Sequence, residues 1–210
     1  MSRVELIQHL PFSFPGIDGD IQRLGVLLKK LFATAGFSFS SEISILNLAC
    51  GRADETGVII DAVQPAQTSF YLGIDLRADA IAEAAQRWEL RHGEIEFIEG
   101  NAATIGRMEG LSKFDLVFIR HQNYWHEPMV WEGILDEALA ALRPDGCLMC
   151  TSYFDLEHEL FLASMRERGV NLLANVRHTA SRDLPDAEGK SVDRWAAVFS
   201  RKTTPKLLVE

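Results

Sequence analysis

Ile45-Leu46-Asn47-Leu48-Ala49-Cys50-Gly51-Arg52-Ala53-Asp54-Glu55 is an apolar run that breaks into a turn of small residues around Gly51. A helix-compatible segment follows, to about residue 63. A buried parallel strand feeding a tight turn and a crossover helix has this form, and α/β sheets hold nucleotide-like ligands at such places. Small residues let the backbone approach a ligand closely, and the turn offers it free N–H groups. Ordinary α/β turns without a ligand share the pattern, so its weight depends on the rest of the chain.

Upstream, residues 1–17 are irregular, with Pro11, Pro15 and Gly16 as breakers. Ile21, Leu24, Leu28, Leu31 and Phe32 then recur at helical spacing over residues 18–35, with Asp18 or Asp20 able to cap the helix. From residue 44 the chain alternates. Strands are predicted at 44–48, 70–75, 95–99, 114–120, 147–153, 171–177 and 194–201. Helices are predicted at 55–63, 78–90, 129–142 and 157–168, with a short one within 100–112. Gly93 and Gly169 stop two of them, and Arg143-Pro144-Asp145-Gly146 reads as a turn. Short apolar runs separated by helical patterns predict a seven-stranded, mostly parallel sheet with helices on both faces. The expected organisation is an N-terminal helical cap or lid over 1–42, a ligand-binding α/β domain over 43–201 and a loose tail over 202–210.

Composition narrows the function. The 210 residues suit one α/β domain with a small elaboration. The formal charge of −9 offers no basic face for tracking phosphates, which argues against a nucleic-acid partner. No apolar run is long enough to span a membrane, and the N-terminus does not read as a signal peptide. Cys50, Cys147 and Cys150 fit a reducing cytoplasm. Cys147-x-x-Cys150 has half the spacing of a metal site, but there is no second pair and both lie in an apolar strand, so no metal is expected.

The order of motifs resembles the class I S-adenosylmethionine-dependent methyltransferases over roughly residues 43–201. The family's glycine-rich turn after strand one corresponds to Asn47-Leu48-Ala49-Cys50-Gly51-Arg52-Ala53. Its acid at the end of strand two corresponds to Asp75, and its acid–alanine pair after strand three to Asn101-Ala102. Phe114-Asp115-Leu116-Val117 opens strand four, and Leu142-Arg143-Pro144-Asp145-Gly146 precedes strand five. The resemblance implies a Rossmann-like methyltransferase fold and S-adenosyl-L-methionine as cofactor. Asp75 would then accept the ribose hydroxyls, the reading at that position being otherwise a helix cap. Asn101 would meet the adenine amino group, with Leu76 and Ala102 as apolar walls. Asn47, Ala49, Cys50 and Gly51 would face the amino-acid end, and Arg120 joins these cofactor contacts. Two family glycines read as Ala49 and Ala53, and two family acids as Asn47 and Asn101. An alanine held at positive φ is strained, so the turn must either differ or tolerate the strain. Asn for Asp removes a charge that would hold the cofactor's ammonium group, a loss that Asp54 or Glu55 could offset.

After strand four comes Arg120-His121-Gln122-Asn123-Tyr124-Trp125-His126-Glu127-Pro128, then Trp131. In an open α/β sheet the ligand crevice lies beyond the carboxyl ends of the strands. His121, nearest the strand end, is the candidate catalytic base, an imidazole being able to take a proton from an attacking hydroxyl or amine. A structural histidine bonded to backbone is the alternative, since methyl transfer can run on positioning and desolvation. Tyr124, Trp125 and Trp131 could wall a substrate pocket or belong to the core. Tyr153 and Phe154 should face the same crevice, His158 reads as a surface helix residue, and residues 11–16 could close over the cofactor. The expected activity is methyl transfer to a small-molecule nucleophile, with a protein nucleophile as the second option. A non-catalytic module that binds the same cofactor is the competing reading. A dinucleotide oxidoreductase fits poorly, because the turn lacks Gly-x-Gly-x-x-Gly.

Overall fold

A computed structural model describes residues 16–39, 41–185 and 187–201. The proposed lid residues 11–15 and the tail 202–210 lie outside these. Seven strands form one sheet in the order β3-β2-β1-β4-β5-β7-β6. They are β1 (Glu42–Leu48), β2 (Gln67–Asp75), β3 (Ile95–Glu99), β4 (Phe114–Ile119), β5 (Leu142–Ser152), β6 (Asn171–Arg177) and β7 (Trp195–Ser200). The pairs β1–β2, β1–β4, β2–β3 and β4–β5 are parallel, and β7 alone runs against both of its neighbours. The winding direction reverses between β1 and β4, so the crevice of the sheet opens at their carboxyl ends.

The pleat divides the core. On one face Ile45, Leu116, Phe118, Cys147 and Met149 pack under helix α1 (Ile17–Ala35) and helix α2 (Thr56–Ala62). On the other, Leu46, Leu48, Val117, Ile119, Leu148 and Cys150 pack under the later helices. Those helices are α4 (Pro128–Ala141) and α5 (Asp155–Glu167), while α3 (Ala78–Arg87) covers the β2–β3 end. Helix α1 is thus part of a helical layer, with Leu24, Leu28 and Leu31 fully buried. Neither candidate aspartate caps it. The N-cap is Gly16, and Asp20 instead pairs with Arg182 at 2.6 Å, tying α1 to the loop before β7. Cys147 and Cys150 point to opposite faces of the sheet, so they cannot chelate one ion. Burial pushes both thiols up.

Most boundaries fall within a few residues of the sequence reading, with one instructive difference. Arg143-Pro144-Asp145-Gly146 is a bulge inside β5, not a turn before it. Phe114 pairs with Leu142 and Leu116 with Cys147, so residues 143–146 stand opposite Asp115 alone. Arg143, Pro144 and Asp145 are pushed out to solvent, while Gly146 stays buried. A Cβ at Gly146 would sit 2.7 Å from the Asp115 carbonyl oxygen, so the ladder can re-form there only without a side chain. No helix among the described residues is long and apolar enough to cross a membrane.

Candidate active site

The turn after β1 keeps the left-handed geometry despite its alanines. Ala49, Gly51 and Ala53 have φ of 54°, 54° and 53°. Each non-glycine residue in this region costs roughly 1–2 kcal/mol, so the turn stores strain that the surrounding bonds must hold. Those bonds are visible. Cys50 N–H donates to the Ile74 carbonyl at 3.0 Å and Ala53 N–H to the Cys50 carbonyl at 2.8 Å. Gly51 N–H donates to Asp75 Oδ2 at 2.7 Å. The other carboxylate oxygen of Asp75 accepts from the backbone N–H and the Nε of Arg77, both at 3.0 Å. Burial opposes the Asp75 charge, but the Arg77 and Gly51 donors hold its carboxyl below the usual range. The Arg77 guanidinium lies over the turn, 2.7 Å from where a Gly51 Cβ would stand. Its side chain is 65% exposed while its Nε stays on Asp75.

The residues expected beside the cofactor are placed differently from one another. Leu76 is well exposed, whereas Ala102 is buried in the core beside Ile105. Asn101 caps the short 3-10 helix Ala102–Arg107, its Oδ1 accepting from Ala103 N–H at 2.9 Å. Cys50 is buried, and burial together with Glu55 and Asp75 pushes its thiol up. Asn47 is fully buried, with its amide committed. Its Nδ2 donates to Glu55 Oε1 at 2.7 Å and to the Tyr71 hydroxyl at 2.9 Å, leaving Oδ1 without a partner. This accounts for asparagine where the family has an acid. An aspartate there would set two carboxylates against each other, so the negative charge resides on Glu55 instead.

Arg120 sits 3.5 Å from Glu55 and 2.8 Å from Asp193, a fully buried aspartate just before β7. Burial works against the Arg120 cation, and Asp193 and Glu55 more than restore it. Burial likewise opposes the Asp193 charge, yet His121 and Arg120 hold its carboxyl far below the usual range. Asp193 also accepts from Thr151 Oγ1 at 2.8 Å. Arg120 is therefore the centre of an ion-pair network beneath the crevice.

His121 is the next residue out, with φ of 56° and its N–H donated to Thr151 Oγ1 at 2.9 Å. Its ring stacks on Tyr153 at 4.0 Å between centroids, and Nδ1 lies 2.9 Å from the Tyr153 hydroxyl. Nε2 lies 2.9 Å from Asp193 Oδ1, close enough for an ion pair but off the N–H axis of a hydrogen bond. Burial pushes the Tyr153 phenol up to about 12, so at neutral pH it is a proton donor. The His121 ring is thus held by side chains on both nitrogens.

Beyond this centre, Trp125 is 54% exposed and meets Phe154 edge-on, with Lys190 over the Phe154 ring. Trp131 belongs to the core, and Tyr124 bonds Glu132. His158 is buried, not a surface residue. It lies between Ser152 Oγ and Asn175 Oδ1 and stacks on Trp195. Asp193 escaped the sequence reading, because only the antiparallel return of β7 brings it beside Arg120, 73 positions away.

A glycine turn bonded to the acid of the neighbouring strand, at the point where a parallel sheet reverses its winding, defines a Rossmann-like ligand-binding fold. Residues 45–146 match the family described as a methyltransferase domain. This match and the fold place residues 45–146 with the S-adenosylmethionine-dependent methyltransferase domains, whose cofactor is S-adenosylmethionine. No curated protein matches the chain by sequence. Among solved structures it is similar to the N-methyltransferase NodS from Bradyrhizobium japonicum WM9, determined with S-adenosyl-L-homocysteine. The identity is 16% and the TM-score 0.64, covering 95% of this chain and 97% of NodS. PH0226 protein from Pyrococcus horikoshii OT3 is 18% identical with a TM-score of 0.63, covering 94% and 99%. An rRNA methylase from Streptococcus thermophilus is 12% identical with a TM-score of 0.57, covering 91% and 99%. At these identities the likeness is one of fold.

Proposed function

We propose that this methyltransferase acts on a small-molecule nucleophile, with the cofactor held across the turn after β1 and the acceptor placed at the exit of β4. The observation that carries the reading is the bond from Gly51 N–H to Asp75 Oδ2. It sets a carboxylate beside a turn whose apex, Gly51, has no side chain, which suits a ribose diol and the chain that extends from it. Arg77 would release Asp75 Oδ1 to the diol, and Glu55 would supply the charge that Asn47 lacks. S-adenosylmethionine supplies an activated methyl group when bound. The protein orients the acceptor, excludes water and offers His121 as a proton acceptor.

The formal charge of −9 favours a small molecule over RNA, whose binding normally needs a basic face. The three free, buried cysteines suit a reducing cytoplasm. The test is transfer of labelled methyl from S-adenosylmethionine to a panel of small nucleophiles, a protein mixture and RNA. Label in the small-molecule fraction is the expected result, and label confined to RNA or protein would contradict the reading.

A further inference from the structure

The side chains gathered around His121 have no assigned role beyond that histidine. Asp193 is fully buried and lies 2.9 Å from Nε2, and Tyr153 lies 2.9 Å from Nδ1. Arg120, just after β4, touches this set through Asp193, Glu55 before α2 reaches it through Arg120, and His178 Nδ1 lies 3.2 Å from the Asp193 carbonyl oxygen. Arg120 pairs with both Asp193 and Glu55, which leaves Asp193 charged while it faces the imidazole. Glu157 of α5 lies behind Tyr153, its Oε2 accepting from Tyr153 N–H at 3.0 Å. A carboxylate beside Nε2 favours the tautomer with its proton there, leaving the Nδ1 lone pair to accept from Tyr153. The Asp193 contact is off-axis as it stands, and the stacked Tyr153 hydroxyl meets Nδ1 from the ring face and not along its in-plane lone pair; catalytic hydrogen bonds often align only with substrate in place.

We propose that Asp193, His121 and Tyr153 form a proton-accepting relay, and that the acceptor methylated at this site is a hydroxyl compound, an alcohol or a phenol. This rests on the methyltransferase reading above and adds the acceptor class to it. An amine can reach its neutral, nucleophilic form by losing a proton to solvent before it attacks. A hydroxyl oxygen sheds its proton during the attack and gains from an acceptor already in place. The hydroxyl oxygen bonds to the methyl carbon while the S–C bond breaks, its electron pair staying on sulfur. The hydroxyl proton passes to Tyr153 Oη as the Tyr153 proton passes to His121 Nδ1. The positive charge lost from sulfur is thereby carried by an imidazolium beside Asp193, with no further reactant. Asp193 is the positioning residue, fixing tautomer and ring orientation. Next to the relay in sequence, Trp125 and Phe154 meet edge-on at 6.4 Å and offer an apolar rim for the acceptor's body, which favours phenols.

The test uses the full chain, methyl-labelled S-adenosylmethionine, and simple phenols and benzyl alcohols set against the matching anilines and benzylamines. Hydroxyl compounds should take the label at least tenfold faster than the amines. Y153F and D193N should lower kcat thirtyfold or more, and Y153F should keep KM within threefold and S-adenosylhomocysteine affinity within twofold of wild type. The fall in wild-type turnover toward acid pH should flatten in H121Q. Because D193N also unpairs Arg120 and can fail to fold, Y153F carries the kinetic test alone if needed. Long-range 1H–15N spectra give an independent readout. His121, assigned by its loss in H121Q, should be the Nε2–H tautomer in wild type and a mixture in folded D193N. Y153F turnover within twofold of wild type, or label on amines and on no hydroxyl compound, would overturn the relay. S-adenosylhomocysteine binding with no hydroxyl compound labelled also overturns it and leaves the cofactor reading standing. Absence of S-adenosylhomocysteine binding removes both.

Discussion

Asp75 and Glu157 show how a single carboxylate acquires its role from its partners. Asp75 is buried, ionised and shared between a backbone N–H and an exposed arginine. Asp75→Ala should weaken S-adenosylhomocysteine binding by about 1.5–3 kcal/mol, the worth of a charge-assisted contact to the ribose plus its support of the turn. Calorimetry on the folded variant checks this, and affinity within twofold of wild type would reduce Asp75 to a helix cap. Glu157 is the opposite case. It is fully buried, accepts only Tyr153 N–H and leaves Oε1 without a partner. Burial pushes its carboxyl up to about 7. An acid with a raised folded pKa adds stability at low pH that is lost as pH climbs from the unfolded value through the folded one. Replacing it with glutamine keeps the bond to Tyr153 N–H and removes the titration. Glu157→Gln should match wild type near pH 4 and exceed it by about 2–3 kcal/mol at pH 8. Denaturant melts at both pH values test this, and a gap that does not grow with pH would refute it.

At the scale of elements, the β1–turn–α2 unit was legible because an apolar run can end in Ala-Cys-Gly only by turning tightly. The alanine substitutions raised the question of whether that turn survives, and φ near 54° at Ala49 and Ala53 answers it. The cost is accepted because Ile74 and Asp75 bind the turn from outside and the Ala53 N–H closes it on the Cys50 carbonyl. The β5 bulge was not legible, since Pro-Asp-Gly serves a turn or a bulge equally well and only pairing distinguishes them. Its lock is Gly146, so Gly146→Ala should destabilise the chain by about 1–3 kcal/mol through a clash with backbone. Chemical denaturation checks the magnitude, and an unchanged midpoint would show that the bulge can relax. The candidate site was half legible. Arg120 and Tyr153 end predicted strands and His121 follows one, so all three fall at the sheet's carboxyl edge. Asp193 lies in a polar loop with nothing local to mark it, and Asn47 needed Glu55 in view before its amide made sense.

Taken as a whole, the molecule sets one buried ion-pair network where the sheet reverses. Buried ion pairs contribute little net stability against their desolvation, so a network of Glu55, Arg120 and Asp193 needs another reason to persist. It ties Glu55, just after the β1 turn, to the His121 ring, and in the proposed reaction it would hold cofactor and proton acceptor in fixed relation. The central claim is that the turn and Asp75 hold an adenosyl sulfonium cofactor. The direct measurement is calorimetric titration of the full chain with S-adenosylmethionine, S-adenosylhomocysteine and NAD. The account predicts one site with dissociation constants in the micromolar range for both adenosyl ligands and no heat from NAD, whereas tighter binding of NAD than of either would contradict it.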